Sequence, residues 1–414
     1  MQSPIVIVGA GQAGLQVADS LRQEGYDGRI LLYGDEPHAP YNRPPLSKKW
    51  LLERHDITSI AIRGAEWLQR KQIELHTRER IVAVDCQQRS VQLHSGEQVA
   101  CRGLALCTGA RLRQLPLPGA DLGGVLGLKT VDDALVLSAA LDVCQLEGKP
   151  LVVIGGGFIG LEVAATARKR GVAVTVLEGL GRLMSRVVAP IVSEAALALH
   201  QEHGVDLQFD VRIVALEGEG GSVSAVRLAD GRSIPAGCVL VGVGVEQNDR
   251  LALAAGLECD RGIVVDDCAR TSAPHVVAAG DCTAHRRPDG SLLRLESVQN
   301  AVEQGKAAAA ALLGSEKPSR AAPWFWSDQY DMKLQMVGLS HGYDQVVTRG
   351  EVASRSFSAY YFRSGRLIAV DSLSRPADHM AARKLLDRGL SPTAEQAGDP
   401  AFNLQSLLAQ EKAS

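Results

Sequence analysis

Two stretches of this chain carry the same order of apolar, small and acidic positions. The first opens on Ile5-Val6-Ile7-Val8, a short strand by its unbroken apolar character, and runs straight into Gly9-Ala10-Gly11-Gln12-Ala13-Gly14. Leu15, Ala18 and Leu21 follow at helical spacing, which predicts a helix that the break between Gly25 and Gly28 ends. Arg29-Ile30-Leu31-Leu32-Tyr33 predicts the next strand, and it stops at Gly34-Asp35-Glu36. Strand, glycine turn, helix, strand and acid make one complete βαβ unit.

The same order returns roughly 145 residues later. Leu151-Val152-Val153-Ile154 is a second apolar strand, and Gly155-Gly156-Gly157-Phe158-Ile159-Gly160 follows it. The pattern predicts a helix over 161–170, a stop at Gly171, and a strand over 172–177 that ends at Glu178. An internal repeat of this kind means two nucleotide-binding domains. Between the copies, Pro37 to Lys48 holds Pro37, Pro40, Pro44 and Pro45, which bar regular helix and central strand and predict a loop.

Other segments read as strands that return to these units. Leu104 to Cys107 is apolar and closes on Thr108-Gly109-Ala110, while Val276-Val277-Ala278-Ala279 closes on Gly280-Asp281. Glu296-Ser297-Val298-Gln299-Asn300 starts an alanine-rich helix expected to reach Leu313, and Lys317-Pro318 reads as a linker. Beyond it, Trp324-Phe325-Trp326 opens β-like runs over 345–348, 357–362 and 367–370, followed by a helical tail.

A glycine-rich turn between strand and helix has a physical use. Its first glycine permits the sharp turn, its second lets backbone approach a diphosphate, and its third lets helix and strand pack closely. The diphosphate then rests on the positive helix N-terminus, and an acid ending the next strand bonds the adenosine ribose. This chemistry nominates Gly9, Gly11, Ala13 and Gly14 with Asp35 or Glu36 in one copy, and Gly155, Gly157, Ile159 and Gly160 with Glu178 in the other. A carboxylate at Glu178 repels a 2′-phosphate and favours NADH over NADPH. Arg182 is the counter-argument, since a guanidinium there is either a phosphate ligand or a solvated loop charge.

The first copy is assigned the tightly held cofactor, FAD, because later strand ends complete its site. Thr108, Gly109 and Asp281 have that form, and the helix that Ser297 begins would aim N–H groups at a flavin ring. Lys48, ending the proline-rich segment, is a candidate to place an ammonium near the flavin nitrogen that accepts hydride. Glu162, just inside the second helix, is its candidate partner, although each residue taken alone is more often a surface charge.

Composition narrows the picture. A length of 414 residues calls for two or three domains, and a formal charge of −3 gives no reason to expect nucleic acid or a membrane surface. The eight cysteines include no Cys-x-x-Cys pair, which points to buried thiols in a reducing compartment and away from a dithiol active site. His200 and His203 lie three apart with no third ligand near, so no metal is expected. The apolar run at 5–8 is too short for a signal peptide, and 307–313 falls short of the ~20 residues of a membrane span. A soluble cytoplasmic protein is expected.

Four longer pieces carry a resemblance. They are Tyr41-Asn42-Arg43-Pro44-Pro45-Leu46-Ser47-Lys48, Gly155 through Ala165, Arg294-Leu295-Glu296-Ser297-Val298-Gln299-Asn300-Ala301, and Trp324-Phe325-Trp326-Ser327-Asp328-Gln329-Tyr330. With them the chain resembles, over nearly its whole length, the FAD-dependent ferredoxin reductases of bacterial oxygenase systems. The resemblance implies an α/β, glutathione-reductase-like architecture: two Rossmann-type dinucleotide-binding domains plus an α+β C-terminal domain. The boundaries expected are 1–113 with 246–318 for FAD, 114–245 for NAD, and 319–414 for the C-terminal domain. It further implies Lys48 and Glu162 as a pair beside the flavin, and Ile81, Lys129, Asp281 and Val298 as FAD contacts. Trp326 would lie near the flavin. The family usually carries arginine where Lys129 stands, and lysine keeps the charge without the planar fork.

What the resemblance implies chemically is hydride transfer from NADH to FAD and release of single electrons to a 2Fe–2S ferredoxin serving a monooxygenase or dioxygenase. An acidic ferredoxin would dock transiently on a basic patch, with Arg286, Arg287, Arg294, Arg383 and Lys384 as candidates. A monomer or weak dimer is expected. Two other readings stand beside this one: an NADH oxidase, which normally needs a reactive cysteine at the flavin, and a redox-sensing interaction protein resembling apoptosis-inducing factor.

Overall fold

Ile5, Val6, Ile7 and Val8 are apolar without alternation because their strand is covered on both sides. In this computed structural model, which describes residues 3–53 and 56–410, Ile5 and Ile7 enter one core and Val6 and Val8 another. Ile5–Val8 pairs in parallel with Ile30–Tyr33 and with Gly103–Leu106. Ile73–His76 and Val276–Ala278 form the two edges of this five-stranded sheet. Helices Gln12–Gln23 and Val298–Leu312 cover one face with Leu15, Leu21, Ala307 and Ala308. The strand of Ile81, Ile81–Asp85, contributes to the other core. These elements belong to one compact unit, residues 3–42, 56–111 and 245–323.

The second unit, residues 43–53, 112–244 and 324–410, contains its own parallel sheet. Its strand order is Asp206–Gln208, Val174–Leu177, Leu151–Ile154, Cys238–Val241 and Val125–Leu126. Helix Phe158–Lys169 follows the central strand, and Thr130 caps helix Val131–Glu147 through a capping box with Asp133. Residues 324–373 form a five-stranded antiparallel sheet, ordered Trp324–Gln329, Met332–Gly338, Arg366–Leu373, Ser356–Arg363 and Gln345–Glu351. Leu161 and Leu199 share a core with Leu334, Phe357 and Tyr361, so this sheet and the helices bury one continuous apolar cluster. The last residues of the expected C-terminal domain, 411–414, lie outside the described residues.

Local chemistry explains two departures from the expected elements. The proline-rich segment is not all loop: Pro44–Ser47 is a 3-10 turn, with proline in the first positions where no N–H is required, and helix Lys49–Glu53 follows. Helix Phe158–Lys169 begins three residues before the expected 161, because Gly157 is extended and serves as its N-cap.

Candidate active site

The two glycine turns solve the same steric problem in the same way. Gly9 and Gly155 have φ of +111° and +106°, which side chains rarely adopt. A Cβ on Gly9 would lie 2.0 Å from the Cys107 carbonyl oxygen, and one on Gly155 2.6 Å from that of Gly242. The third glycines are equally constrained: a Cβ on Gly14 would meet the Gly9 oxygen at 2.0 Å, and one on Gly160 the Gly155 oxygen at 2.4 Å. The middle glycines differ. Gly11 and Gly157 are extended, and among the described residues no atom lies within 4 Å of a Cβ built there. Internal packing does not demand glycine at these positions, whereas a diphosphate drawn onto the helix N-terminus does, so both turns fit a dinucleotide.

The acids are held differently. Glu178 is tied back to its own turn, its Oε2 accepting from the Gly156 amide at 2.7 Å and its Oε1 from the Leu180 amide at 2.8 Å. In the first unit Glu36 accepts from the Tyr41 hydroxyl at 2.5 Å, while exposed Asp35 stands 3.8 Å from Arg80. Arg182 spends its donors locally, on the Val188 carbonyl at 2.8 Å, the Ser193 hydroxyl at 2.7 Å and the Ser185 carbonyl at 2.7 Å.

The strand ends of the first unit meet as one group. Thr108 donates to the Asn248 carbonyl at 2.6 Å, and the Asn248 side chain donates back to the Thr108 carbonyl at 2.9 Å. The Gly280 amide, beside Asp281, donates to the buried Gln304 Oε1 at 2.8 Å, which ties this strand end to the helix that Val298 opens. Ser297 caps that helix through the Asn300 amide at 3.1 Å. Gln247 bridges Glu296 and Arg294, each at 2.9 Å. Ile81 packs in the core with Val6 and Val8.

Lys48, Glu162, Lys129, Trp326 and Ile159 belong to the second unit. Lys48 Nζ lies 2.7 Å from Glu162 Oε2, and the Glu162 side chain is only 4% exposed, too buried to be a surface charge. Two hydroxyls complete its shell: Ser47 donates to Oε2 at 2.5 Å and Ser327 to Oε1 at 2.7 Å. Thr166, one turn further along the helix, holds the Ser47 carbonyl at 2.8 Å. The sequence reading did not single out Ser47 or Ser327. The available signal was strand alternation: in Trp324–Gln329, Ser327 and Gln329 lie on the buried side, and Phe325 packs on Phe158 of the helix at 4.9 Å.

The other candidates each have partners of their own. Trp326 is 5.5 Å from Trp324, and Arg383 lies over the Trp324 ring at 4.8 Å. The Lys129 amide donates to Asp133 at 2.9 Å, and its carbonyl accepts from Arg43 at 2.7 Å. Ile159 is 47% exposed beside Gly157. Of the arginines expected to form a docking patch, Arg286 pairs with Glu258 and Arg294 with Gln247.

The cysteines hold a feature their spacing concealed. Cys144 and Cys238, 94 residues apart, bring their sulfurs within 3.4 Å in the second unit. The hydrogen bond between the two lowers the Cys144 thiol and raises that of Cys238. Burial pushes the other six thiols up, Cys101 and Cys259 to about 11, which leaves them poor nucleophiles.

Paired dinucleotide turns together with a lysine held by a buried carboxylate define an oxidoreductase that works with a flavin and a nicotinamide. The chain belongs to the pyridine nucleotide-disulphide oxidoreductase family, whose profile matches residues 3–305, and a reductase C-terminal profile matches 324–408. FAD and NAD(H) are the cofactors of this class. The chain is 44% identical to rhodocoxin reductase of Rhodococcus erythropolis over 409 residues, covering 99% of this chain and 95% of that one. The ferredoxin reductase for the CYP199A2 system from Rhodopseudomonas palustris superposes with a TM-score of 0.94 at 46% identity, over 98% of this chain and 99% of that one. The reductase in the covalent putidaredoxin reductase–putidaredoxin complex gives 0.94 at 38% identity, over 100% and 99%. No helix among the described residues is long and apolar enough to cross a membrane.

Proposed function

We propose that this protein oxidises NADH and passes the electrons through FAD to a 2Fe–2S ferredoxin that supplies a monooxygenase or ring-hydroxylating dioxygenase. The observation that carries this reading is end-to-end similarity to ferredoxin reductases of such systems, C-terminal sheet included. FAD, when bound, accepts a hydride and yields its electrons singly, which couples a two-electron donor to a one-electron acceptor.

The chain's own residues divide this work. Gly9, Gly11, Ala13 and Gly14 offer a diphosphate backbone amides and a helix N-terminus, with Asp35 or Glu36 for the ribose. Thr108, Gly109, Ile81, Asp281 and Val298 are assigned to the flavin as well, and so are Lys129 and Trp326. Gly155, Gly157, Ile159 and Gly160 receive NADH. Glu178, already oriented by two amides, accepts from its ribose hydroxyls and repels a 2′-phosphate. Lys48 presents a positive charge to the flavin, and Glu162 fixes where that charge stands. The raised thiols weigh against the NADH-oxidase reading. Eight free cysteines suit a reducing cytoplasm, where the protein would work as a monomer or weak dimer.

The test is NADH-driven reduction of a cytochrome acceptor by the reconstituted protein, with and without purified 2Fe–2S ferredoxins. Strong stimulation by at least one ferredoxin is expected. Equal rates with every ferredoxin and with none, or a protein that stays colourless after incubation with FAD, would overturn the assignment.

A further inference from the structure

Glu162 does not end its polar contacts at Ser327. The Ser327 hydroxyl, itself fully buried, accepts from Gln329 Nε2 at 3.2 Å, and Gln329 Oε1 stands 3.0 Å from His200 Nε2. Gln329 and His200 are likewise buried completely. Each link can run in one direction only. An amide oxygen accepts, so His200 Nε2 carries the hydrogen; the amide nitrogen donates, so the serine must turn its own hydrogen to the carboxylate. Burial lowers the His200 imidazole to about 4, which keeps the ring neutral. Charged or titratable groups around the chain include Lys48 at one end and His203 and Tyr330 at the other, with Tyr330 edge-on to His200 at 5.1 Å and stacked on His203 at 3.6 Å, and Lys169 over the Tyr330 ring at 5.8 Å.

We propose that Ser327, Gln329 and His200 form a one-way chain of donors that fixes the Glu162 carboxylate and, through it, the Lys48 ammonium, making them positioning residues for reduction of the flavin by NADH. The proposal rests on the reading that Lys48 serves the flavin. Three aligned donors in a buried site polarise one another, so a carboxylate at the chain's end gains a fixed orientation that a single serine would not hold. The chain crosses three elements: helix Pro190–Glu202 supplies His200, strand Trp324–Gln329 supplies Ser327 and Gln329, and helix Phe158–Lys169 supplies Glu162. Lys48 therefore stands on a frame set by two domains' worth of packing within one unit.

Two measurements on the full-length holoprotein test this. In 15N-histidine NMR, His200 is expected to show the neutral, Nε2-protonated pattern throughout pH 6–8; an Nδ1-protonated or charged ring overturns the chain without any variant. In stopped flow, Ser327→Ala is expected to lower the limiting rate of flavin reduction about tenfold, the scale of a hydrogen bond to a charged group, with NADH half-saturation unchanged. Gln329→Leu should show a smaller loss of the same kind. In a Lys48→Met background neither substitution should lower the rate further. Additive losses, or silent Ser327 and Gln329 variants while Lys48→Met is slow, sink the chain alone. A Lys48→Met protein as fast as wild type sinks both the chain's role and the flavin reading beneath it.

Discussion

The helix that follows each glycine turn begins alike and then does different work. Two residues after the third glycine, the first copy has Gln16 and the second Glu162. Gln16 bonds Ser20 at 3.0 Å, and a Cβ on Gly305 of helix Val298–Leu312 would meet its side chain at 2.9 Å, so this position serves close helix packing. Glu162 at the equivalent position takes a lysine and two serines. One frame thus carries two roles. The turn, whose glycines answer to backbone geometry, is common to both; the helix face one turn on is open to whatever packs against it.

The sharpest way to break the comparison is at the glycines. Gly14→Ala and Gly160→Ala each drive a methyl into a backbone carbonyl, and no folded yellow protein is expected from either. Gly11→Ala and Gly157→Ala should fold with unchanged melting of the apoprotein, because the space is open. Gly11→Ala should then fail to retain flavin, read from absorbance per protein. Gly157→Ala should keep its flavin and lose NADH affinity. If Gly11→Ala kept flavin at full occupancy, the ligand role of the middle glycine would be wrong.

Acid acts next, on two buried groups of the second unit that respond in opposite directions. His200, in the second unit, takes up a proton near pH 6.5 when unfolded but only near 4 when folded. Stability from this group is therefore present above 6.5 and is lost as pH falls towards 4, by about 3 kcal/mol at most. Asp371 runs the other way: burial raises it to about 7, so the folded state loses stability as pH rises from about 4 towards 7. Subtracting a His200→Leu variant isolates the histidine. The difference between the two proteins' urea-unfolding free energies should shrink by about that amount between pH 7 and pH 4. A constant difference would show that His200 is not kept neutral by burial.

Exchanging the divergent helix position is a smaller perturbation. Glu162→Gln installs in the second copy what the first carries, keeping shape and removing charge. It should slow flavin reduction by roughly ten- to a hundredfold with flavin content intact. Gln16→Glu in the first copy should leave that rate within about twofold, since the side chain's bond there is to the neutral Ser20 hydroxyl. Equal effects from the two swaps would erase the distinction between packing and charge positioning.

How far the sequence revealed this follows from distance along the chain. Both turns, their strands and the parallel sheets were legible, because each glycine answers to atoms a few residues away, as Gly14 does to Gly9 and Gly160 to Gly155. The placement of Glu162 was not legible from spacing, since its partners Ser47 and Ser327 lie 115 and 165 residues off. His200 is bonded to Gln329, 129 residues away, a partner that its short spacing to His203 could not indicate. The close thiols Cys144 and Cys238 were hidden for the same reason. Proline chemistry misled in a local way: it rules out an α-helix interior but permits the short 3-10 turn that delivers Ser47 and Lys48.

The acids that end the second strands give the finest contrast. Glu178, the acid proposed to bind the ribose, is already bonded to two amides of its own turn, whereas Glu36 leans on the Tyr41 hydroxyl and Asp35 faces solvent. An acceptor oriented before the ligand arrives loses less freedom on binding, so the second copy's preference should rest on this one carboxylate. Glu178→Ala should therefore cut the preference for NADH over NADPH about tenfold, the worth of one hydrogen bond to a charged group, mainly through a weaker half-saturation for NADH. Arg182, with its donors bound to Val188, Ser193 and Ser185, should contribute little, and Arg182→Ala should leave the coenzyme ratio unchanged. In the first copy, Glu36→Ala and Asp35→Ala should each lower flavin retention by less than the Glu178 change lowers NADH affinity, because two acids share the task there. Steady-state kinetics with both coenzymes and flavin release on dilution decide the point. A Glu178→Ala protein that still prefers NADH by the full wild-type ratio would remove the carboxylate from coenzyme selection.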